Sequence, residues 1–288
     1  MKKRALGATG YEISAVAYGG IVSMKDGQPA SDRYVAWAIE QGVNYFDVAP
    51  SYGDAQEKLG NSLAAYRGDV YLACKTAQRT RPAAEEEFRQ SLKDLHTDYF
   101  DVYQLHGLAS VEDVDTAFGP GGVMELVERA RRDGLIRRAG ITAHSEEAAL
   151  KALSLYDFDT VLFPLNWGLH LEKGMGGRLI AEAKRRNMGL LGMKALIHRA
   201  WLDKDEQAAS PFPKSWCKPI DPDDEPFRLA AMRYALSLGA DALVPPGNFA
   251  DFSFMVQHID ECLARPLDGG DQALLESRLP EARAHSFF

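Results

Sequence analysis

The sequence has few cysteines, and none of them forms a closely spaced pair. Only Cys74, Cys217 and Cys262 occur among 288 residues, and no CxxC pattern is present. Structural zinc and iron–sulfur sites are usually built from such pairs. The spacing therefore argues against either kind of metal site, and the low count favours a reducing compartment. We expect the three thiols to be chemically inert.

Long apolar runs and an excess of basic residues are also missing. No 18 consecutive uncharged apolar residues occur, whereas a helix that crosses a bilayer needs about 20. The 33 lysines and arginines are outnumbered by 41 aspartates and glutamates, giving a net charge of -8. Such a balance opposes binding to nucleic acid or to an anionic membrane. We expect a soluble, cytoplasmic protein that acts on a small molecule, and the sequence leaves its oligomeric state open.

A glycine-rich dinucleotide turn, GxGxxG, is absent as well, which argues against an open doubly wound sheet. What the chain does contain is eight short apolar runs, each separated from the next by an amphipathic stretch. The predicted strands lie near residues 15–20, 43–48, 70–75, 100–105, 138–142, 160–165, 189–194 and 241–245, and the last is followed by a helix at 251–263. Eight such units predict a single α/β domain over 1–288, a closed (β/α)8 TIM barrel.

Two segments fall outside this alternation. Residues 4–13 contain two brief extended stretches around a turn, which predicts a β-hairpin that closes the bottom of the barrel. Residues 198–226 contain five prolines, mixed charges and several aromatic residues. Loops of this length are usually functional, so we predict a long packed lid after the seventh strand. With the predicted loop 107–121, four aromatic residues are expected to form a substrate pocket: Trp167, Trp201, Phe212 and Trp216.

Four ionisable residues lie at the ends of predicted strands or just after them. Asp47 ends the second strand, Tyr52 lies five residues further on, Lys75 ends the third strand and His106 ends the fourth. The C-terminal strand ends of a (β/α)8 barrel form one rim, where active sites are built. We therefore expect the four side chains to face one mouth, where oppositely charged groups can offset the cost of their burial.

This combination suits the reduction of a carbonyl group. A phenol with a pKa of about 10 is a poor acid at neutral pH, but a nearby ammonium stabilises the phenolate and lowers that pKa. We expect Lys75 to act on Tyr52 in this way and Asp47 to keep Lys75 charged. His106 is expected to donate a hydrogen bond to a substrate oxygen. None of these residues can supply a hydride, so the reaction requires a bound nicotinamide.

The segments around these residues resemble a known family. They read FDVAPSYG at 46–53, ACKT at 73–76 and QLHG at 104–107, and they are similar to three signature segments of the aldo-keto reductases. LGATG at 6–10 and GLIRRAGI at 134–141 also resemble family sequences, so the likeness covers nearly the whole chain.

The resemblance implies a catalytic tetrad of Asp47, Tyr52, Lys75 and His106. Tyr52 would be the general acid in reduction and the general base in oxidation. The implied cofactor is NADP(H) or NAD(H), bound in an extended pose across the barrel mouth.

Several positions that the resemblance assigns to the cofactor depart from the usual residues. After the fifth strand, Thr142 and Ala143 replace a Ser-Asn pair that holds the carboxamide of nicotinamide. Leu162 stands where a glutamine is usual, and Met193 stands where many members stack an aromatic ring. The polarizable sulfur of Met193 can still contact the ring.

The segment VPPGNF at 244–249 resembles the family's adenosine-phosphate segment, in which glycine lets backbone amides approach phosphate. No arginine or lysine is present there to bind a 2′-phosphate, which favours NAD or relaxed cofactor choice unless Lys194, Lys214 or Lys218 supplies the charge. The predicted cofactor contacts are Thr142, Asn166, Met193, Lys194, Gly247 and Asn248.

Two other functions remain open. The altered carboxamide site also fits a regulatory or sensor protein that binds the cofactor and turns over slowly. A metal-dependent barrel hydrolase would use His106, His144 and His198, although the HxH pair common in such sites is absent. Titration with NADH and NADPH beside a metal assay separates the three possibilities.

Overall fold

The computed structural model describes residues 1–288, in which strands and helices alternate along most of the chain. The strands are β1 (Lys3–Ala5), β2 (Glu12–Ser14), β3 (Tyr18–Gly19), β4 (Tyr45–Asp47), β5 (Tyr71–Thr76), β6 (Phe100–Leu108), β7 (Ile136–Ala143), β8 (Thr160–Pro164), β9 (Gly189–Met193), β10 (Ile197–Arg199), β11 (Lys218–Pro219) and β12 (Ala242–Val244). The helices are α1 (Gln28–Glu40), α2 (Ala55–Leu63), α3 (Arg81–Asp94), α4 (Val111–Phe118), α5 (Val123–Arg132), α6 (Glu146–Leu155), α7 (Trp167–Lys173), α8 (Gly177–Arg186), α9 (Lys204–Ala209), α10 (Glu225–Ser237), α11 (Phe249–Ala264) and α12 (Gly269–Ala284).

Eight parallel strands form the barrel, in the order β3, β4, β5, β6, β7, β8, β9 and β12. The two ends of this sheet meet where the Leu243 carbonyl accepts the Ala17 amide at 2.9 Å and the Leu243 amide donates to the Ala15 carbonyl at 3.0 Å. Each predicted strand overlaps one of these eight, and the predicted TIM barrel is confirmed.

Side chains that alternate along the strands fill the barrel interior. Leu6 and Ile13 from the N-terminal segment are fully buried in this inner cluster, as are Tyr45 and Val102. Leu162 belongs to the same cluster and also lines the cavity above it. The interior is therefore packed below the mouth, and a ligand can approach only from the C-terminal ends of the strands.

The N-terminal strands β1 and β2 pair antiparallel and lie against the opposite end of the barrel. The Gly7 amide donates to the Asp241 carboxylate at 3.2 Å, and the Ala8 amide donates to the Asn187 carbonyl at 2.8 Å. Gly7 has φ +49°, and a Cβ there would lie 2.3 Å from the Gly189 nitrogen. Only glycine allows this close approach without strain.

The segment between β9 and α10 is ordered and contains regular structure. It contains the antiparallel pair β10–β11 and the short helix α9. Arg199 is bound to Glu206 at 2.8 Å within the segment, and Lys214 bonds to Asp26 at 2.7 Å on the far side of the mouth. These contacts hold the segment across part of the barrel opening.

The predicted loop at 107–121 is corrected, because it contains helix α4. Ser110 caps this helix by accepting a hydrogen bond from the Asp113 amide at 3.2 Å. The carboxylates of Glu112 and Asp113 lie in the first turn, at the positive end of the helix dipole, and stabilise the helix. The apolar residues Val111, Val114 and Phe118 have helical spacing, so the sequence did contain a signal for this eight-residue helix.

Candidate active site

The side chains of the candidate site come from the carboxyl ends of neighbouring parallel strands. Asp47 is the last residue of β4, Lys75 lies near the end of β5, and β5 pairs directly with both β4 and β6. Gln104 and His106 are two residues apart on β6, so both point to the same side of the strand. Tyr52 follows β4 in a turn in which its amide donates to the Ala49 carbonyl at 3.1 Å.

A buried ion pair forms the base of this arrangement. The Lys75 ammonium donates to one carboxylate oxygen of Asp47, and the Gln104 amide donates to the other at 2.7 Å. Burial by itself lowers the pKa of Lys75, but the Asp47 carboxylate and the Tyr52 phenol outweigh burial, and the pKa is raised. Lys75 is therefore a fixed cation at neutral pH.

Tyr52 lies beside this cation, with its phenol in a nearly dry environment. The Lys75 nitrogen is 5.0 Å from the centroid of the Tyr52 ring, and only 8% of Tyr52 is exposed. Burial raises the pKa of Tyr52, and the lowering by Lys75 does not offset it because Asp47 partly cancels the lysine charge. Lys75 therefore acts on this pKa in the expected direction, but the net shift is upward. The phenol stays protonated at neutral pH, which is the form that donates a proton.

His106 packs edge-on against Tyr52, with ring centroids 5.7 Å apart and planes at 84°. Burial, together with Lys75 and other nearby groups, lowers the pKa of His106 to about 3. The imidazole is neutral over the physiological range and carries one N–H. Its backbone is held by Arg79, which donates to the His106 carbonyl at 2.8 Å.

A cavity opens above these residues and has an empty volume of about 720 Å³, including the part that is open to solvent. One wall carries Asp47, Tyr52, Lys75 and His106, so the structure brings the four predicted catalytic residues together. We call this the acid–base wall. The other wall is formed by Thr142, His144, Met193, Lys194 and Cys217, and we call it the open wall.

The open wall contains polar groups with unused hydrogen-bonding capacity. The Thr142 hydroxyl accepts the Gly107 amide at 2.7 Å, and its own O–H stays free to donate. The His144 Nδ1 atom is buried and has no partner. Burial, with a smaller contribution from Lys194, lowers the pKa of His144 to about 4, so this ring is neutral as well.

Three predicted cofactor residues do not line the cavity. Asn166 is buried, caps α7 and donates to the carbonyls of Lys194 and Ile197 at 3.0 and 2.8 Å. Asn248 caps α11 by accepting the Asp251 amide at 2.7 Å. Gly247 has φ +105°, and a Cβ there would lie 2.5 Å from an Ile21 side-chain carbon. In this structure all three serve the local backbone.

The predicted aromatic pocket is corrected in three of its four members. Trp167 is fully buried with Phe227 in a separate cluster, and its indole N–H donates to the Ile197 carbonyl at 3.3 Å. Trp201 donates to the Ser215 carbonyl at 2.8 Å, and Phe212 is buried within the same segment. These rings support the segment across the mouth instead of lining the cavity.

Trp216 does line the cavity. It is 56% exposed, and its ring packs against Tyr52 with centroids 5.6 Å apart.

Two lysines considered as phosphate ligands already have partners. Lys214 binds Asp26, and Lys218 binds Glu206 at 2.8 Å; neither lines the cavity. Of the three histidines in the hydrolase alternative, His106 and His144 line the cavity, whereas His198 packs edge-on against Phe227 at 5.3 Å between ring centroids. The three do not form a common site.

Gln104 belongs to the candidate site and was not identified from the sequence. It holds the second oxygen of Asp47 and is fully buried. The sequence did contain a signal for Gln104. Residues two apart in a strand point to the same face, so a polar residue two positions before His106 is expected to face the barrel interior with it. Cys217 lines the cavity beside Lys194, and burial raises the pKa of its thiol, which is in keeping with the inert thiol expected from the sequence.

The family model of the aldo/keto reductase family matches residues 23–242. The uncharacterized oxidoreductase YqkF of Bacillus subtilis is 32% identical over 157 residues, which are 50% of this chain and 49% of that protein. The chain thus matches about half the length of this curated relative.

Among solved structures, the holo form of an aldo-keto reductase from Bacillus halodurans superposes with a TM-score of 0.73 at 19% identity, covering 100% of this chain and 98% of that one. An aldo-keto reductase of Bombyx mori in complex with NADP superposes with a TM-score of 0.69 at 18% identity, covering 96% and 93%. These two likenesses concern the fold. No helix of the chain has the length and apolar content that a membrane span requires. The family match extends over most of the barrel and includes all four predicted catalytic residues, and the chain belongs to the aldo/keto reductase family.

Proposed function

We propose that this protein reduces a small aldehyde or ketone, or oxidises the corresponding alcohol, with NADP(H) or NAD(H) as cofactor. The observation that carries the proposal is the position of a protonated Tyr52 phenol beside the buried Lys75–Asp47 pair, at a cavity it shares with His106.

The open wall fits the nicotinamide end of such a cofactor. Met193, Leu162 and Val244 offer an apolar surface for a planar ring, while the free O–H of Thr142 and the unpartnered Nδ1 of His144 can bond a carboxamide. No basic residue is present at 244–249, and Lys214 and Lys218 are paired with carboxylates, which favours NAD or relaxed cofactor choice. When bound there, the nicotinamide supplies the hydride that no side chain of the protein can provide.

Side chains of the protein transfer the proton that the reaction requires. Tyr52 donates its phenolic proton to the carbonyl oxygen, and the N–H of His106 bonds the same oxygen as negative charge develops on it. The Lys75 ammonium stabilises the phenolate left on Tyr52, and Asp47 with Gln104 keeps the ammonium in place. In the oxidation of an alcohol, the phenolate takes the proton back.

Trp216 covers the Tyr52 side of the cavity and gives it an aromatic edge. Together with the limited cavity volume, this favours a small substrate that can rest against the indole. All three cysteines are free and buried, which is in keeping with the cytoplasmic location that we propose.

Deuterium transfer tests the reaction directly. The protein is titrated with NADH and NADPH by fluorescence and then incubated with a panel of aldehydes and ketones and cofactor deuterated at C4. We expect micromolar binding of at least one nucleotide and an alcohol product one mass unit heavier. The proposal fails if neither nucleotide binds, or if no carbonyl compound is reduced.

The same experiment separates the regulatory alternative, which the replacement of asparagine by Ala143 in the carboxamide site favours. A regulatory protein would bind a nucleotide and yield no labelled alcohol from any member of the panel. A metal assay on the same sample addresses the hydrolase alternative.

A further inference from the structure

Lys194 is the second lysine of the cavity, and the proposed proton transfer does not use it. It follows β9 directly and lines the open wall with Met193 and Cys217. Its backbone has φ +67°. A residue with a long side chain rarely adopts this left-handed conformation, which costs about 1 kcal/mol or more.

The ammonium of Lys194 has no acidic partner. Its one hydrogen-bond acceptor is the sulfur of Cys217 at 3.9 Å, and no aspartate or glutamate forms an ion pair with it. The nitrogen also lies over the rings of Phe287 and Phe288, whose centroids are 5.2 and 4.8 Å away. Burial lowers the pKa of Lys194, as expected for a cation held in an environment poor in anions.

The other ionisable groups of the cavity do not neutralise this charge. Asp47 and Lys75 cancel one another in their ion pair. His106 and His144 have lowered pKa values and are neutral, and burial raises the pKa values of Tyr52 and Cys217, which keeps both protonated. The cavity therefore carries one uncompensated positive charge, located on Lys194.

We propose that Lys194 binds an anionic group, a carboxylate or a phosphate, on a molecule that fills the cavity. An anion there forms a charge-assisted hydrogen bond in a partly dry environment, where such bonds are strong. It also removes the cost of burying an unpaired cation. The identity of the molecule that carries the anionic group rests on the proposed function. Either the substrate or the cofactor can carry a carboxylate or phosphate group that Lys194 would bind.

The first source is the substrate. If it carries the anion, the favoured substrates are carbonyl compounds with a carboxylate or phosphate, and Lys194 positions their carbonyl group toward Tyr52. The second source is a phosphate of the nicotinamide dinucleotide, in which case Lys194 contributes to cofactor affinity and makes no distinction between charged and neutral substrates.

Calorimetric titration of matched variants tests the proposal. Lys194→Met removes the charge and keeps an unbranched apolar side chain, Lys194→Arg restores the charge, and Lys218→Met removes a lysine that is paired with Glu206 away from the cavity. The probes are NADH, sodium pyrophosphate, and 4-carboxybenzaldehyde beside the neutral 4-methylbenzaldehyde. The aldehydes are titrated in saturating NAD⁺, so that dissociation constants are obtained without reduction.

We expect Lys194→Met to weaken the binding of at least one anionic probe by about tenfold or more. The binding of 4-methylbenzaldehyde should change less than about twofold, Lys194→Arg should recover most of the affinity, and Lys218→Met should behave as wild type. A loss limited to 4-carboxybenzaldehyde identifies the substrate as the source. A loss for NADH and pyrophosphate identifies the cofactor.

The proposal is overturned if the folded Lys194→Met protein binds every anionic probe as tightly as wild type, or if charged and neutral aldehydes lose affinity equally. It is also overturned if no anionic probe binds the wild-type protein. These outcomes do not depend on turnover. If the wild-type protein reduces no carbonyl compound, and Lys194→Met still weakens the binding of an anionic probe, the proposed function is contradicted and this inference is supported.

Discussion

The two walls of the cavity hold one lysine each, and the two lysines differ in almost every respect. On the acid–base wall, Lys75 is fully buried, bonded to Asp47 and adjacent to Tyr52, and its pKa is raised. On the open wall, Lys194 meets a thiol and two aromatic rings, and its pKa is lowered. Burial acts on both ammonium groups in the same direction, and the presence or absence of one carboxylate decides the net sign.

This difference separates two uses of a buried charge. A lysine that is paired within the protein has a fixed position and charge, so it can stabilise a phenolate without reorganisation during the reaction. An unpaired lysine makes the empty protein less stable and gives the cavity a preference for anions. Residues that destabilise the free protein in this way are often those that bind a ligand.

Removal of the proton donor on the acid–base wall has the largest expected effect. Tyr52→Phe deletes the phenolic proton and leaves the ring, so kcat for carbonyl reduction should fall by about 10²- to 10⁴-fold. Cofactor affinity should stay within about twofold, as measured by nucleotide fluorescence. Tyr45→Phe is the matched control, because its hydroxyl is buried without a partner and does not line the cavity. Equal activity of the two variants would contradict the role of Tyr52.

Breaking the paired charge should produce the next largest effect, which is on stability. Lys75→Met leaves Asp47 buried beside Gln104 without its cation, and the free energy of unfolding should fall by about 3–5 kcal/mol. Chemical denaturation measures the change. The double variant Lys75→Met, Asp47→Asn removes both charges and should recover a large part of the loss. If the double variant is no more stable than the single one, packing and not charge explains the loss.

The same substitution on the open wall should act in the opposite direction. Because folding lowers the pKa of Lys194, its charge opposes folding at neutral pH, and the opposition disappears as pH rises through the unfolded-state pKa. Lys194→Met should therefore raise the free energy of unfolding at pH 7 by roughly 1 kcal/mol or less. Lys218→Met is the control and should change it little. A clear destabilisation by Lys194→Met would remove the contrast between the two lysines.

The smallest expected effect is that of pH on kcat/KM for reduction, which should change little near neutral pH. With the pKa of His106 lowered to about 3 and that of Tyr52 raised, neither group changes its charge between about pH 5 and 9. The value of kcat/KM for reduction should be nearly flat over that range and decline only when the phenol ionises at higher pH. A step near pH 6.5 would show that His106 titrates normally and that water reaches the acid–base wall.

Much of the acid–base wall was predictable because its residues lie at fixed places in a regular pattern. Asp47, Lys75 and His106 lie at or near the ends of apolar strands, and parallel strand ends meet at one rim. Tyr52 was less secure, since a loop residue has no such register. Its assignment began from its place five residues after Asp47 and was strengthened by the family resemblance. Gln104 lies on the same alternating face, but it carries no ionisable group and so gave no charge signal in the sequence.

The open wall was less predictable because its residues depend on segments distant in sequence. Trp167 looked like a pocket residue after the sixth barrel strand, but Phe227 of α10 packs against it and removes it from the cavity. Trp216 instead reaches Tyr52, because the segment that carries it is held across the mouth by contacts such as Lys214 with Asp26. No local sequence pattern predicts that Trp167 packs into a neighbouring hydrophobic cluster while Trp216 lines the cavity.

The sequence by itself determined the eight strand–helix units, the closed barrel they form and the position of the acid–base residues, since these follow from hydrophobic periodicity and strand-end placement. The tertiary structure decided how the charges behave. It raised the pKa of Tyr52 where a lowering was expected, and it left Lys194 without a carboxylate. Burial and pairing are sums over all neighbours in space, so they are defined only when the strands have been brought together.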